Sequence, residues 1–221
     1  IDRTFTTKEL GFETLKYNSV AAQMSRGKSE KTVAFAMSSV AATLAKFSMD
    51  VCLYMSQNFD FITLPSHLTT GSSIMPHKKN PDVFELIRGK CNKIQALPYE
   101  ITLITNNLPS GYHRDLQLLK EGLFPAIQNL KACLDIALFS IKDIKVKEHI
   151  LDDKKYDYLF TVDSLNEMVV AGMPFRDAYK AVAEQLENGT FQSPKETKHT
   201  HEGSINNLCL DAIKEKMRAS F

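Results

Sequence analysis

Tryptophan is absent from these 221 residues, and neither sign of charge dominates: 27 Lys and Arg stand against 26 Asp and Glu, a formal net charge of +1. That balance removes the electrostatic case for nucleic acid or an anionic membrane surface as a partner. Cysteine is scarce. Cys52, Cys91, Cys133 and Cys209 lie far apart, with no Cys-x-x-Cys pair. They read as buried thiols of a reducing compartment, the cytoplasm, rather than as a disulfide framework or a zinc site. No run of about 18 uninterrupted apolar residues and no signal-peptide pattern is present. A Gly-x-Ser-x-Gly elbow is also missing, which argues against acyl-transfer chemistry.

What is present is long helical periodicity. Apolar residues make up 43% and charged residues 24% of the chain, the balance of a globular protein. From Lys28 to Leu64 there is neither Gly nor Pro, and Val33, Met37, Val40, Leu44, Phe47, Val51 and Met55 recur by threes and fours. This predicts a helix, with alanines at 34, 36, 41, 42 and 45 widening its apolar surface for packing on more than one side. A second helix is predicted from Pro81, carrying Val83, Ile87, Cys91, Ile94, Ile101, Ile104 and Leu108 inward and kinked at Pro98. A third runs from Leu116 to Ile144, with Pro125 as a bend. Three long helices without strand signals predict an all-α, long-helix bundle. The charge-rich segment around Asp152-Asp153-Lys154-Lys155 marks a boundary. The expected division is 1–150, the bundle, and 151–221, a small helical C-terminal domain with helices near 156–171, 174–187 and 205–218. His199 and His201 have the spacing of a metal pair on an extended segment, but no third ligand stands near them. A polar loop is the reading preferred, and no metal is expected.

Between the first two helices lies Gly71-Ser72-Ser73-Ile74-Met75-Pro76-His77-Lys78-Lys79-Asn80-Pro81-Asp82. Asn80 suits a helix N-cap, Pro81 the first helical position and Asp82 the acidic first turn. Helix-start N–H groups and two lysines would favour a small anion, with hydroxyls close enough for proton chemistry. A free serine hydroxyl is a poor base unless nearby donors stabilise its alkoxide. Glycine and paired serines also suit a mobile lid. The segment 69–82 resembles the signature loop of the fumarase/aspartase superfamily, Gly-Ser-Ser-x-Met-Pro-x-Lys-x-Asn-Pro. Its Lys-Lys-Asn-Pro-Asp ending is similar to the argininosuccinate lyase branch, although His77 stands where that branch usually has glutamine. Some adenylosuccinate lyases also carry histidine there.

The resemblance implies a fumarase/aspartase-type bundle and an elimination that cleaves argininosuccinate to arginine and fumarate, with no metal or organic cofactor. Ser72, matching the first motif serine, would be the catalytic base. Lys78 and Asn80 match positions that hold the succinyl carboxylates, and Ser73 would be a hydrogen-bonding neighbour. His77 is ionisable near neutrality and is a weaker candidate for the base. The stretch Tyr112-His113-Arg114-Asp115-Leu116-Gln117-Leu118-Leu119-Lys120 resembles a family segment in which Tyr, Gln and Lys contact substrate, matching Tyr112, Gln117 and Lys120. Family members are homotetramers whose active sites combine loops from three subunits. The alternatives are an adenylosuccinate lyase-like enzyme and a non-catalytic, crystallin-like protein of the same fold. The chain begins at Ile1 and has about half the family's length. The family's Thr-His-x-Gln-x-Ala-Gln-Pro stretch and asparagine loop would lie upstream. The chain alone is therefore expected to be helical and oligomeric but inactive.

Overall fold

The computed structural model describes residues 1–220 and divides the chain into one unit, Ile1–Lys147, and a second beginning at Glu148. The first unit is built on three long helices: α3 (Lys28–Tyr54), α4 (Asp82–Thr105) and α5 (Leu119–Ile141). Two short helices precede them, α1 (Arg3–Glu9) and α2 (Ser19–Met24), capped by the side chains of Asp2 and Asn18, and neither buries a residue. Four two-residue strands complete the unit: β1 (Ile62–Thr63), β2 (Thr70–Gly71), β3 (Lys79–Asn80) and β4 (Lys145–Val146). They form two antiparallel ladders, Ile62↔Val146 with Thr63↔Lys145, and Thr70↔Asn80 with Gly71↔Lys79.

The core lies where one face of each long helix meets the others. Ala34, Met37, Ala41, Leu44 and Val51 of α3 pack with Phe84, Ile87, Cys91, Ile94, Leu97 and Ile101 of α4 and with Leu119, Leu123, Leu130 and Cys133 of α5. Burying one such aliphatic or aromatic side chain is worth about 1.5–3 kcal/mol. The periodicity therefore finds its partners, but the buried stripe on α3 is rotated from the sequence expectation. Ala34, Ala41, Ala45 and Ser48 face inward, whereas Ala36 and Ala42 are exposed and Val33 and Val40 remain 45% exposed. Small residues let α4 approach closely, which turns the bulkier valines outward. The segments Ser19–Tyr54 and Arg114–Ile141 reach the length and mean hydropathy of a membrane span. In the fold, α3 and α5 use part of that apolar surface to pack on α4.

The helices run antiparallel in succession. Phe47 of α3 meets Phe84 of α4 edge to face, centroids 5.9 Å apart, while Gly27, before α3, lies against Thr105 at the far end of α4. Gly122 brings α5 onto Leu97 and Glu100. The 24 residues of α4 separate the two ends of the bundle by roughly 36 Å.

Three sequence expectations need correction. Helix α4 begins at Asp82, with Pro81 as N-cap and no side-chain cap. Asn80 is not the cap, because its backbone is engaged in the β2–β3 ladder and a residue before proline is driven to the extended region. The third helix is shorter than Leu116–Ile144. Arg114–Gln117 is a 3-10 turn, and beyond Ile141 the chain leaves the helix for β4. Nor is the unit strand-free, since each ladder ties down one end of the long connection between α3 and α4.

The second unit holds a 3-10 segment over Lys154–Phe160, then α6 (Thr161–Val170), α7 (Phe175–Glu187) and α8 (Leu210–Arg218). Its small core joins Leu165, Ala178 and Val182, with Met168, Leu186 and Phe191 packed around them.

Candidate active site

The signature segment forms a loop closed at its base by β2 and β3 and standing before the first turn of α4. Inside it the side chain of Ser72 is turned back on the loop. Its Oγ accepts N–H bonds from Ile74 at 3.2 Å and Met75 at 3.1 Å. Two backbone donors on one serine oxygen are the arrangement that lowers the cost of negative charge there. The donors expected from the sequence thus exist, and they come from the loop's own backbone. The turn is closed further by the Lys78 N–H, which donates to the Met75 carbonyl at 3.0 Å.

Around Ser72 the chemistry is open. Ser73, His77, Lys78 and Lys79 are exposed, and Asn80 is half-buried. The side chains of Ser73, His77 and Lys78 make no hydrogen bond or ion pair among the described residues. The lysines are left with donors for an incoming anion. The sequence reading missed Thr70 as a participant: its hydroxyl donates to Asp82 Oδ2 across the base of the loop. Nothing in the sequence pattern signals that bond, because it depends on the hairpin that brings residues twelve apart together.

His67 stands at the same end of the bundle, its ring on Phe139 at 6.5 Å between centroids and its Nε2 3.7 Å from Asp143 Oδ2. Neighbouring aromatics Tyr54, Phe59 and Phe61 stack in a triangle at the end of α3, with centroids 5.4–6.4 Å apart.

The second patch lies at the opposite end. Tyr112, Gln117 and Lys120 form one hydrogen-bonded chain: Lys120 Nζ donates to Gln117 Oε1 at 2.7 Å, and Gln117 Nε2 donates to Tyr112 Oη at 2.7 Å. The 3-10 turn and the first turn of α5 supply the spacing that makes this possible. The His113 ring hydrogen-bonds the Pro109 carbonyl at 2.9 Å, a pairing that places the proton on Nε2. The structure thus joins Tyr112, Gln117 and Lys120 to one another and keeps them apart from Ser72. Leu119, which adjoins Lys120, lies by Gly27 and Thr105 at the distal end of α4. A cleft of about 140 Å³ between α4 and α5, lined by Lys93, Leu97, Glu100 and Gly122 among others, includes neither Ser72 nor Tyr112.

In the second unit, His199 Nε2 lies 2.9 Å from Asp163 Oδ1, and the rings of His199 and His201 are 5.8 Å apart. Among the described residues no group of three or more His, Cys, Asp or Glu is disposed to hold a metal ion. Burial, with Cys133 beside it, pushes the Cys91 thiol up to about 12, and burial also raises Cys52.

Comparison with known proteins gives this geometry a family. Residues 1–96 match the family model described as Lyase. The chain is 59% identical over 219 residues to an argininosuccinate lyase of Parabacteroides distasonis, covering 99% of this chain and 49% of that protein. It is 56% identical over 221 residues to the Bacteroides fragilis counterpart, again 49% of its length, and 38% identical over 185 residues to that of Thermotoga neapolitana. Among solved structures, EDDS lyase with bound fumarate superposes with a TM-score of 0.72 at 20% identity, over 86% of this chain and 38% of that one. Class II fumarase from Schistosoma mansoni gives 0.66 at 16% identity, over 96% and 43%. These two likenesses speak to the fold alone, which is a long-helix bundle. The chain spans about half the length of the curated relatives it matches, and over that span it belongs to the argininosuccinate lyase family, corresponding to the C-terminal half.

Proposed function

We propose that this chain carries the base-bearing half of an enzyme that cleaves argininosuccinate to arginine and fumarate. Because the chain spans about half the length of its relatives, the activity is proposed for a protein that also includes the family's other half. The observation that carries this reading is the state of Ser72, a loop serine whose oxygen is held by two backbone N–H groups, in a chain 59% identical to an argininosuccinate lyase. Ser72 Oγ takes the proton from the carbon beside a succinyl carboxylate. The electrons move into that carboxylate, and the doubly charged intermediate then expels the arginine nitrogen as the carbon–nitrogen bond breaks. Lys78 and Asn80 hold the succinyl carboxylates, with Ser73 as a hydrogen-bonding neighbour. Their charge and dipoles favour the charge-rich intermediate over substrate. Tyr112, Gln117 and Lys120 bind the arginine part. The residues that protonate the departing nitrogen are assigned to the family's other half, and no metal or organic cofactor enters the scheme.

The two patches stand at opposite ends of a helix roughly 36 Å long, too far apart for one small substrate. A site that uses both must therefore take them from different copies. The exposed apolar faces of the long helices, among them Phe35 at 58%, Phe124 at 57% and Leu138 at 63%, provide contact area for such assembly. A homotetramer with shared sites is the arrangement we propose, in the cytoplasm, where four free thiols are at home.

The test is fumarate release by the complete protein. Turnover of argininosuccinate is expected, with Ser72→Ala slower by about 10²–10⁴ in kcat while substrate still binds. Release of fumarate from adenylosuccinate instead would move the protein to the sister branch. No turnover of either substrate would favour a non-catalytic role. Near-normal turnover in Ser72→Ala would refute the assignment of the base.

A further inference from the structure

We propose that Thr70 and Asp82 form a latch that positions Ser72, acting through the loop and not by touching substrate. The proposal rests on the reading of Ser72 as the base. Between β2 and β3 the chain leaves the ladder over residues 72–78, and apart from Ser72 every one of these residues is exposed. Only two residue pairs close the base of the loop, Thr70↔Asn80 and Gly71↔Lys79. A two-stranded ribbon that short is marginal by itself.

The Thr70 hydroxyl adds what the ladder lacks, donating to Asp82 Oδ2. Hydrogen bonds to a carboxylate are roughly twice as strong as neutral ones. The acceptor is well anchored: Asp82 is half-buried and opens α4, the helix that sends Phe84 and Ile87 fully into the core. The bond therefore fixes the loop's base to α4, while Ile74 and Met75 of the tip are held through their N–H bonds to Ser72 Oγ. Ser72 is two residues from Thr70, next to that fixed point. A base displaced by about 1 Å loses on the order of 10²-fold in rate, so small slack at Thr70 is costly at Ser72.

The experiment measures kcat and KM for fumarate release by the complete protein, with amide exchange at Ile74 and Met75, in Thr70→Val, Thr70→Ser, Asp82→Asn and Ser72→Ala. Thr70 is exposed, so its replacements leave the core intact. Thr70→Val is expected to lower kcat about tenfold, more than it raises KM, and to speed exchange at Ile74 and Met75. Thr70→Ser keeps the hydroxyl and should recover kcat to within about threefold. Asp82→Asn keeps an acceptor without charge and should fall between them. Wild-type kcat and exchange in Thr70→Val, or equal losses in Thr70→Val and Thr70→Ser, would overturn the latch while Ser72→Ala remains inactive. An active Ser72→Ala would instead overturn the underlying assignment of the base, and the latch's proposed role with it.

Discussion

Gly27→Ala probes the joint on which the distal end of the bundle depends. Gly27 is buried, holds φ +85°, and stands just before α3, its N–H donating to Glu30 Oε2 at 2.8 Å. A Cβ placed there would lie 2.4 Å from Thr105 Cγ2 and 3.3 Å from Thr105 Cβ. Thr105 is not free to swing away, because its hydroxyl donates to the carbonyls of Ile101 at 2.9 Å and Thr102 at 3.2 Å. Two penalties follow. The left-handed backbone costs an L-residue about 1–2 kcal/mol, and overpacking adds about 1–3 kcal/mol. The stiffer unfolded chain returns about 0.4–1 kcal/mol. The net expectation is a loss of about 1–4.5 kcal/mol, read by urea unfolding of the complete protein at fixed concentration. The steric part can be isolated. In the Thr105→Ser background the offending methyl is gone and the hydroxyl kept, so Gly27→Ala should cost only about 0–1.5 kcal/mol there. A loss below about 1 kcal/mol in the wild-type background, or equal losses in both, would refute this account of the joint.

Gln117→Leu breaks the hydrogen-bonded chain from Lys120 through Gln117 to Tyr112. It should raise KM for argininosuccinate about tenfold or more, and unchanged KM would remove this patch from the site. For Cys91, burial holds the folded thiol protonated up to about 12, against an ordinary value of 9.0. Its contribution to stability is therefore complete below pH 9 and is lost as pH rises from 9 toward 12, because the unfolded thiol ionises first. Unfolding midpoints measured across that range should decline less steeply in Cys91→Ala than in the wild type; parallel slopes would contradict this.

The long helices and the signature were legible because both are local. Apolar spacing announces a helix wherever the chain lies, and the start of α3 at Lys28 follows from the breaker before it and the Gly- and Pro-free run after it. The Gly-Ser-Ser-x-Met-Pro segment could be read as a catalytic loop for the same reason: glycine, hydroxyls and lysines within twelve residues state their chemistry without a fold. Gln117 and Lys120, three apart, could likewise be read as one face, and they do hydrogen-bond.

What tertiary structure decided was every feature that depends on residues distant in sequence. Asn80 has the chemistry of an N-cap, yet the ladder with Thr70 claims its backbone first. The pattern of α3 named Val33 and Val40 as inward, but the close approach of α4 selected the alanine stripe and left those valines at the surface. The Thr70–Asp82 bond exists only once the β2–β3 hairpin brings residues twelve apart together. Local spacing specifies which face of a helix is apolar and which loop carries chemistry. Which apolar residues are buried, and which polar groups meet, is set by the partner surfaces that packing brings against them.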